Sequence, residues 1–140
     1  ARLGLFLAHQ EPPVIAGVSV ANALRAMSDA TRAKPYSTAE FFDKLRSSLT
    51  RLGLSQDFAN RNLHEAFSGG EKKRSELLAL LMASSKYAVL DEIDSGMDAV
   101  ARAMTKDILA EMRRAGTGFL VISHNQSFID ELSPTRRILL

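Results

Sequence analysis

Two acids close one short apolar run, Tyr87-Ala88-Val89-Leu90 running into Asp91-Glu92, and a histidine closes another, Phe119-Leu120-Val121-Ile122 running into Ser123-His124. Such runs are too short for helices and suit buried strands of a parallel sheet. In an open parallel sheet, ligands bind beyond the carboxyl ends of the strands, which would gather Asp91, Glu92 and His124 on one rim. Paired acids there fit a Mg²⁺–nucleotide site, because Mg²⁺ takes one or two carboxylates together with waters and phosphate oxygens. Asp91 would orient the ion through a bound water, and Glu92 would serve as base or positioner for a water attacking the terminal phosphate. The His124 imidazole could donate an N–H to charge developing on a phosphate oxygen. A plainer reading stands beside each: two acids entering a solvated loop, and a histidine that is structural or merely exposed.

A second candidate lies upstream, where Phe67-Ser68-Gly69-Gly70-Glu71-Lys72-Lys73-Arg74 leads into the apolar run Leu77 to Met82. The first turn of a helix leaves backbone N–H groups without partners and carries partial positive charge. Gly69 and Gly70 would let a phosphate approach that backbone closely. Ser68 would either cap the helix or donate its hydroxyl to the same anion; an ordinary loop with an N-cap is the competing reading. The basic run Lys72 to Arg74 is expected on a solvated helix face. Gln10 has an amide suited to a Mg²⁺ ligand or a water contact, though alone it carries little weight. Asp98, ending Asp94-Ser95-Gly96-Met97-Asp98, suits the first turn of a helix.

The elements that must position these residues can be read in order. Leu3 to Ala8 is the end of a strand, and Glu11-Pro12-Pro13 forbids helix. Val20, Leu24 and Met27 predict a helix from Ser19, which Lys34-Pro35 breaks. Ser37-Thr38-Ala39-Glu40 is a capping-box pattern, with Phe41, Leu45, Leu49 and Leu52 following at intervals of three and four. Gly53 falls where a helix C-cap is wanted, and a helical turn is expected over Gln56 to Arg61. Residues 18–64 are thus predicted to be all-helical. After Phe67 the pattern becomes a helix from about Glu71 to Ser84, the strand Tyr87 to Leu90, and a helix with Met97, Val100, Ala101, Met104, Ile108, Leu109 and Met112 along one face, closed by Gly116. Strand Phe119 to Ile122, a short helix over Gln126 to Leu132 and a third strand from Arg137 follow. That alternation is the mark of an α/β fold with parallel strands and right-handed crossovers. The expected division is 1–10 as the end of a core strand with its loop, 11–66 as a helical subdomain, and 67–140 as part of an α/β core.

At 140 residues and 46% hydrophobic, the chain can bury one real core. It has no cysteine, which removes disulfides, thiolate catalysis and Cys-type zinc or iron–sulfur ligation. No apolar run approaches the roughly 18–20 residues of a membrane span, and no signal-peptide pattern opens the sequence. The formal charge is +2 with acids and bases interleaved, so a nucleic-acid stripe is not expected. The chain starts and stops inside apolar segments, which suggests a piece of a larger domain.

Taken jointly, Gln10 after a strand, a helical insert, Phe-Ser-Gly-Gly-Glu, four apolar residues with Asp-Glu, Ser-Gly-Met-Asp and a strand-end His resemble the Q-loop, signature motif, Walker B, D-loop and H-switch of ABC-type ATPases. The spacings agree: 22 residues from Gly69 to Asp91 and 33 from Asp91 to His124. Within that family, residues 61–66 (R-N-L-H-E-A), 67–76 (F-S-G-G-E-K-K-R-S-E) and 90–98 (L-D-E-I-D-S-G-M-D) are similar to SufC, the soluble ATPases of the SUF iron–sulfur assembly system. Glu71 replaces the Gln of transporter signatures and Ile93-Asp94 replaces their Pro-Thr, while Pro12-Pro13 near the Q-loop is also SufC-like. Met97 and Ser123-His124-Asn125-Gln126 depart from the family's usual Leu and Thr-His-Tyr-Gln without removing a group the chemistry needs. The resemblance implies a partial P-loop NTPase core with an all-helical subdomain, and an ATP-hydrolysing subunit with ATP and Mg²⁺ at composite sites of a transient, ATP-dependent homodimer. Glu92 and His124 would be catalytic, and Asp91 and Gln10 would serve the metal. Ser68, Gly69, Gly70, Gln10 and Asp98 would serve the nucleotide, the first three acting on ATP held by the other subunit. Gln10 and residues 18–64 would couple nucleotide state to a SufB or SufD scaffold, in the cytoplasm or a plastid stroma, without nucleic acid or membrane insertion. No G-x-x-x-x-G-K-[ST] occurs in the sequence. In this family that motif precedes the Q-loop, so the chain alone is expected to bind ATP weakly and not hydrolyse it. A membrane-transporter ATPase subunit and a non-catalytic docking module are the alternatives.

Overall fold

A computed structural model describes residues 4–8 and 14–138. Three strands form a parallel sheet in the order β1 (Leu5–Ala8), β4 (Tyr87–Asp91), β5 (Gly118–Ile122). Leu5 pairs with Tyr87, Tyr87 with Gly118, and Asp91 with Ile122. Side chains alternate across this register. Ala8, Ala88 and Leu90 are buried in the core, while Leu5, Leu7, Tyr87, Leu120 and Ile122 point to the opposite, exposed face. The sheet is therefore apolar on both sides and covered on one, which explains why its strands read as continuous apolar runs rather than alternating ones.

Helices pack on the covered side. α3 (Gly69–Met82) buries Leu77, Leu78, Leu80 and Met82, and α4 (Ala99–Arg114) contributes Thr105, Ile108 and Leu109. The short α5 (Gln126–Leu132) adds Phe128. α1 (Val20–Thr31) and α2 (Thr38–Arg51) supply Val20, Leu24, Phe41, Leu45 and Leu49 to the same cluster, with Phe58 from a 3₁₀ turn at Gln56–Asn60. α2 begins with the expected capping box between Ser37 and Glu40, and Gly53 follows it in the left-handed region at φ +62°.

Several expectations change. Residues 18–64 are not all-helical: β2 (Ile15–Ser19) pairs antiparallel with β3 (Asn62–Leu63), and Val20 N–H continues the pairing to the Arg61 carbonyl at 2.9 Å. The register shifts between Ile15 and Ser19 where Gly17 takes φ +76°, and such a bulge erases the two-residue periodicity. α3 starts at Gly69 rather than Glu71, and its basic run is not wholly on a solvated face: Lys73 is 8% exposed, while Lys72 and Arg74 are half-buried. Val100 leaves the proposed apolar face of α4 and is 79% exposed. Arg137 and Ile138 form no strand, and Leu139 and Leu140 lie outside the described residues. The loop expected around Pro12-Pro13 also lies outside them.

Candidate functional site

The two strand ends meet as the parallel register requires. Asp91 closes β4 opposite Ile122, and the Glu92 N–H extends the ladder by donating to the Ile122 carbonyl at 2.9 Å. Glu92 then turns out of the sheet with φ +48°, a left-handed backbone that costs a non-glycine residue about 1–2 kcal/mol. The turn is held from outside. The Lys73 ammonium on α3 donates to the Glu92 carbonyl at 2.9 Å, and the Ser95 N–H donates to the same oxygen at 3.0 Å. The result aims the Glu92 carboxylate at the neighbouring strand, where Oε1 lies 3.1 Å from His124 Nδ1. Glu92 is one-quarter exposed and His124 three-quarters exposed, so the pair sits at the surface with open access.

A second tie joins the same loops. The Ser123 hydroxyl donates to Asp94 Oδ2 at 2.9 Å and accepts from the Asn125 N–H at 3.0 Å. Asp94 is 5% exposed, and Asn125 in turn caps α5. Asp98 caps α4 rather than lying in its first turn; its Oδ1 accepts from the Ala101 N–H at 2.7 Å. Asp91 offers one half-buried carboxylate. Among the described residues no group of three or more His, Asp or Glu is arranged to hold a metal. A single carboxylate would fit Mg²⁺ only together with waters and other oxygen ligands. Gln10, the other metal candidate, lies outside the described residues.

The Ser68 end of α3 is built as a capping box. Ser68 Oγ accepts from the Glu71 N–H at 3.2 Å, and Glu71 Oε2 accepts from the Ser68 N–H at 2.9 Å. Of the two readings of this serine, the structure shows the cap; a hydroxyl that accepts one bond can in principle still donate another. Gly69 has ordinary backbone, and a Cβ there would meet nothing within 4 Å. Neither backbone shape nor the chain's own packing calls for glycine at 69, which leaves room for a group approaching from outside. The spacing did not reveal the support beneath this turn. Arg61 pairs with Glu71 Oε1 and lies over the rings of Phe58 and Phe67, 5.2 and 4.6 Å from their centroids. Behind them, buried His64 lies 3.5 Å from Glu76 on α3.

The Arg61 guanidinium, followed by the Ser68 N–H, holds the Glu71 carboxyl below its usual range. A depressed carboxyl stabilises the fold above its unfolded pKa, and that contribution fades as pH falls through the lower, folded value. Wild-type protein is therefore expected to exceed Glu71→Gln in stability near neutral pH and to converge with it in acid. Urea midpoints across that range test this; a constant gap would remove the Arg61–Glu71 pair as its source.

The end of the sheet thus joins an acid–histidine pair, and a separate helix start offers free N–H groups. No family model matches the chain. Over 136 residues it is 43% identical to a probable ABC transporter ATP-binding protein of Streptococcus pyogenes, covering 96% of this chain and 53% of that protein. It is 40% identical to vegetative protein 296 of Bacillus subtilis over 96% of this chain and 52% of that one. It is 37% identical to the probable ATP-dependent transporter ycf16 of Cyanidium caldarium, again over 96% of this chain and 54% of that one. Among solved structures, MJ0796, a bacterial ABC transporter cassette seen as a dimer, superposes with TM-score 0.76 at 16% identity over 93% of this chain and 55% of that one. Its dimeric post-hydrolysis state bound to ADP and Pi gives TM-score 0.79, covering 93% and 56%. The fold is that of an ABC cassette. The chain spans about half the length of the curated relatives it matches.

Proposed function

We propose that this chain is the part of an ABC-type ATPase that carries the signature turn and the Walker B and H-switch residues, acting on ATP and Mg²⁺ within a nucleotide-dependent homodimer. The observation that carries the reading is the 3.1 Å contact between Glu92 and His124 at the carboxyl ends of adjacent parallel strands. Glu92 takes the role of base or positioner for the attacking water, and its strained, externally braced backbone fixes where the carboxylate points. His124 uses Nδ1 toward Glu92, which leaves Nε2 toward the ligand; a charged imidazole has N–H on both and can donate to a phosphate oxygen. Asp91 is the residue to orient Mg²⁺, which supplies charge neutralisation on the phosphates. Gly69 and Gly70 serve the neighbouring subunit's nucleotide, with Ser68 adding a hydroxyl at a helix start that favours anions, and Asp98 helps to communicate across that interface. Gln10 keeps its proposed place near the metal.

The phosphate cradle of a P-loop has no counterpart in this sequence. The apolar sheet face presented by Leu5, Leu7, Tyr87, Leu120 and Ile122 suits the packing of the remaining half of a cassette. Full-length protein is expected to hydrolyse ATP, and the 140-residue chain alone is expected not to at millimolar ATP. Turnover by this chain that disappears in Glu92→Gln would overturn that division of labour.

Glu71, Ile93-Asp94 and residues 61–66 favour a SufC-type subunit serving iron–sulfur assembly with SufB and SufD scaffolds, in the cytoplasm or a plastid stroma. The division at about residue 66, with the helical part serving the scaffold, belongs to this reading. No helix among the described residues is long and apolar enough to cross a membrane. The similarity to a probable ABC transporter ATP-binding protein and a probable ATP-dependent transporter favours a second reading, a transporter's ATP-binding subunit. Copurification of the full-length protein decides: SufB or SufD supports the first, a membrane permease the second.

A further inference from the structure

Resting on the ATPase reading above, we propose that Ser123 and Asp94 are positioning residues, a clamp that fixes the His124 imidazole against the Glu92 carboxylate. His124 is three-quarters exposed, so packing does little to choose its orientation. An exposed imidazole is held by the backbone on either side of it and by its polar partner. Ser123, the residue before it, uses its hydroxyl in both directions at once, giving its proton to buried Asp94 at 2.9 Å and accepting the N–H of Asn125, the residue after it, at 3.0 Å. The single oxygen therefore pins the main chain on both sides of His124. Asp94 is the other anchor, two residues past Glu92 in the loop that carries the base, and the Met97 N–H donates back to its carbonyl at 3.2 Å. The Glu92 and His124 loops are thus tied three ways: the ladder bond from Glu92 to Ile122, the Ser123–Asp94 bond, and the Glu92–His124 contact itself. Only the Ser123–Asp94 bond is both side chain to side chain and largely shielded from water, where a charge-assisted hydrogen bond is strongest.

In full-length protein, Ser123→Ala is expected to lower kcat about tenfold while KM for ATP stays within about twofold, because orientation rather than binding is lost. Ser123→Thr, which keeps the hydroxyl, is expected to restore kcat to within about twofold of wild type. Asp94→Asn keeps the acceptor but removes its charge, and should fall between them. A second readout is independent of turnover. In ¹⁵N spectra of the present chain, the His124 Nδ1 resonance in Ser123→Ala is expected to move in the direction it moves in Glu92→Gln. Retention of kcat in Ser123→Ala, failure of Thr to rescue, or an unmoved His124 resonance would each overturn the clamp. If wild-type full-length protein turns over no ATP, the ATPase reading fails, while the imidazole spectra still judge the clamp on their own. Should Ser123→Ala prove unfolded, Asp94→Asn carries both readouts.

Discussion

Glu92→Gln in the full-length protein is expected to lower the rate of ATP turnover by about 10²–10⁴-fold, the range of a positioned general base. The amide fills nearly the same space and keeps an oxygen that can accept from His124 Nδ1, so the left-handed turn and its bonds to Lys73, Ser95 and Ile122 should survive. What disappears is the carboxylate's capacity to take a proton from water. Nucleotide affinity should therefore stay near wild type while steady-state phosphate release collapses. Fluorescent-nucleotide binding together with a phosphate-release assay separates the two. A variant that releases phosphate at the wild-type rate would place the base elsewhere, and a variant that also loses affinity would make Glu92 a binding residue.

Phe58→Ala is expected to cost about 3–5 kcal/mol, the usual range for emptying a buried aromatic site. Phe58 is 1% exposed, its ring centroid lies 4.7 Å from that of Phe67, and Arg61 lies across both rings. The loss should also reach the signature turn. Phe67 directly precedes Ser68, and Arg61 orients the Glu71 carboxylate that caps the Ser68 N–H. Denaturant midpoints measure the stability, and amide exchange at Gly69 and Gly70 reports the turn. Phe42→Ala makes the comparison, since that ring is 49% exposed and its loss should stay within about 0.5 kcal/mol. Equal midpoints for the two variants would remove Phe58 from the core.

The strand ends were legible because the parallel sheet is apolar on both faces: Tyr87 to Leu90 and Phe119 to Ile122 read as apolar blocks, and the polar residue following each marks the rim. The capping box of α2 was legible for another reason, since a serine three residues before a glutamate satisfies orphan donors locally, without help from distant chain; the same pattern at Ser68 and Glu71 was read only as one possible cap. The pairing of β2 with β3 was not. A two-residue strand and a bulge at Gly17 leave no periodicity to read, and the bond is made across more than forty residues. Lys73 was misread for a related reason: three basic residues in a row resemble a solvated face unless one knows that α3 runs through the core.

By itself, then, the sequence determined which residues can do chemistry and in what order they lie, because residue type and spacing carry donors, acceptors and helix caps directly. Tertiary structure alone decided which of them meet. Glu92 faces His124 because β4 and β5 lie side by side in register, because Lys73 braces a backbone turn the sequence does not announce, and because Asp94 and Ser123 join the loops beyond. Those contacts span 19 to 32 residues of chain, and local preference cannot specify a partner so far away; the buried core that stacks α3 beneath the sheet does.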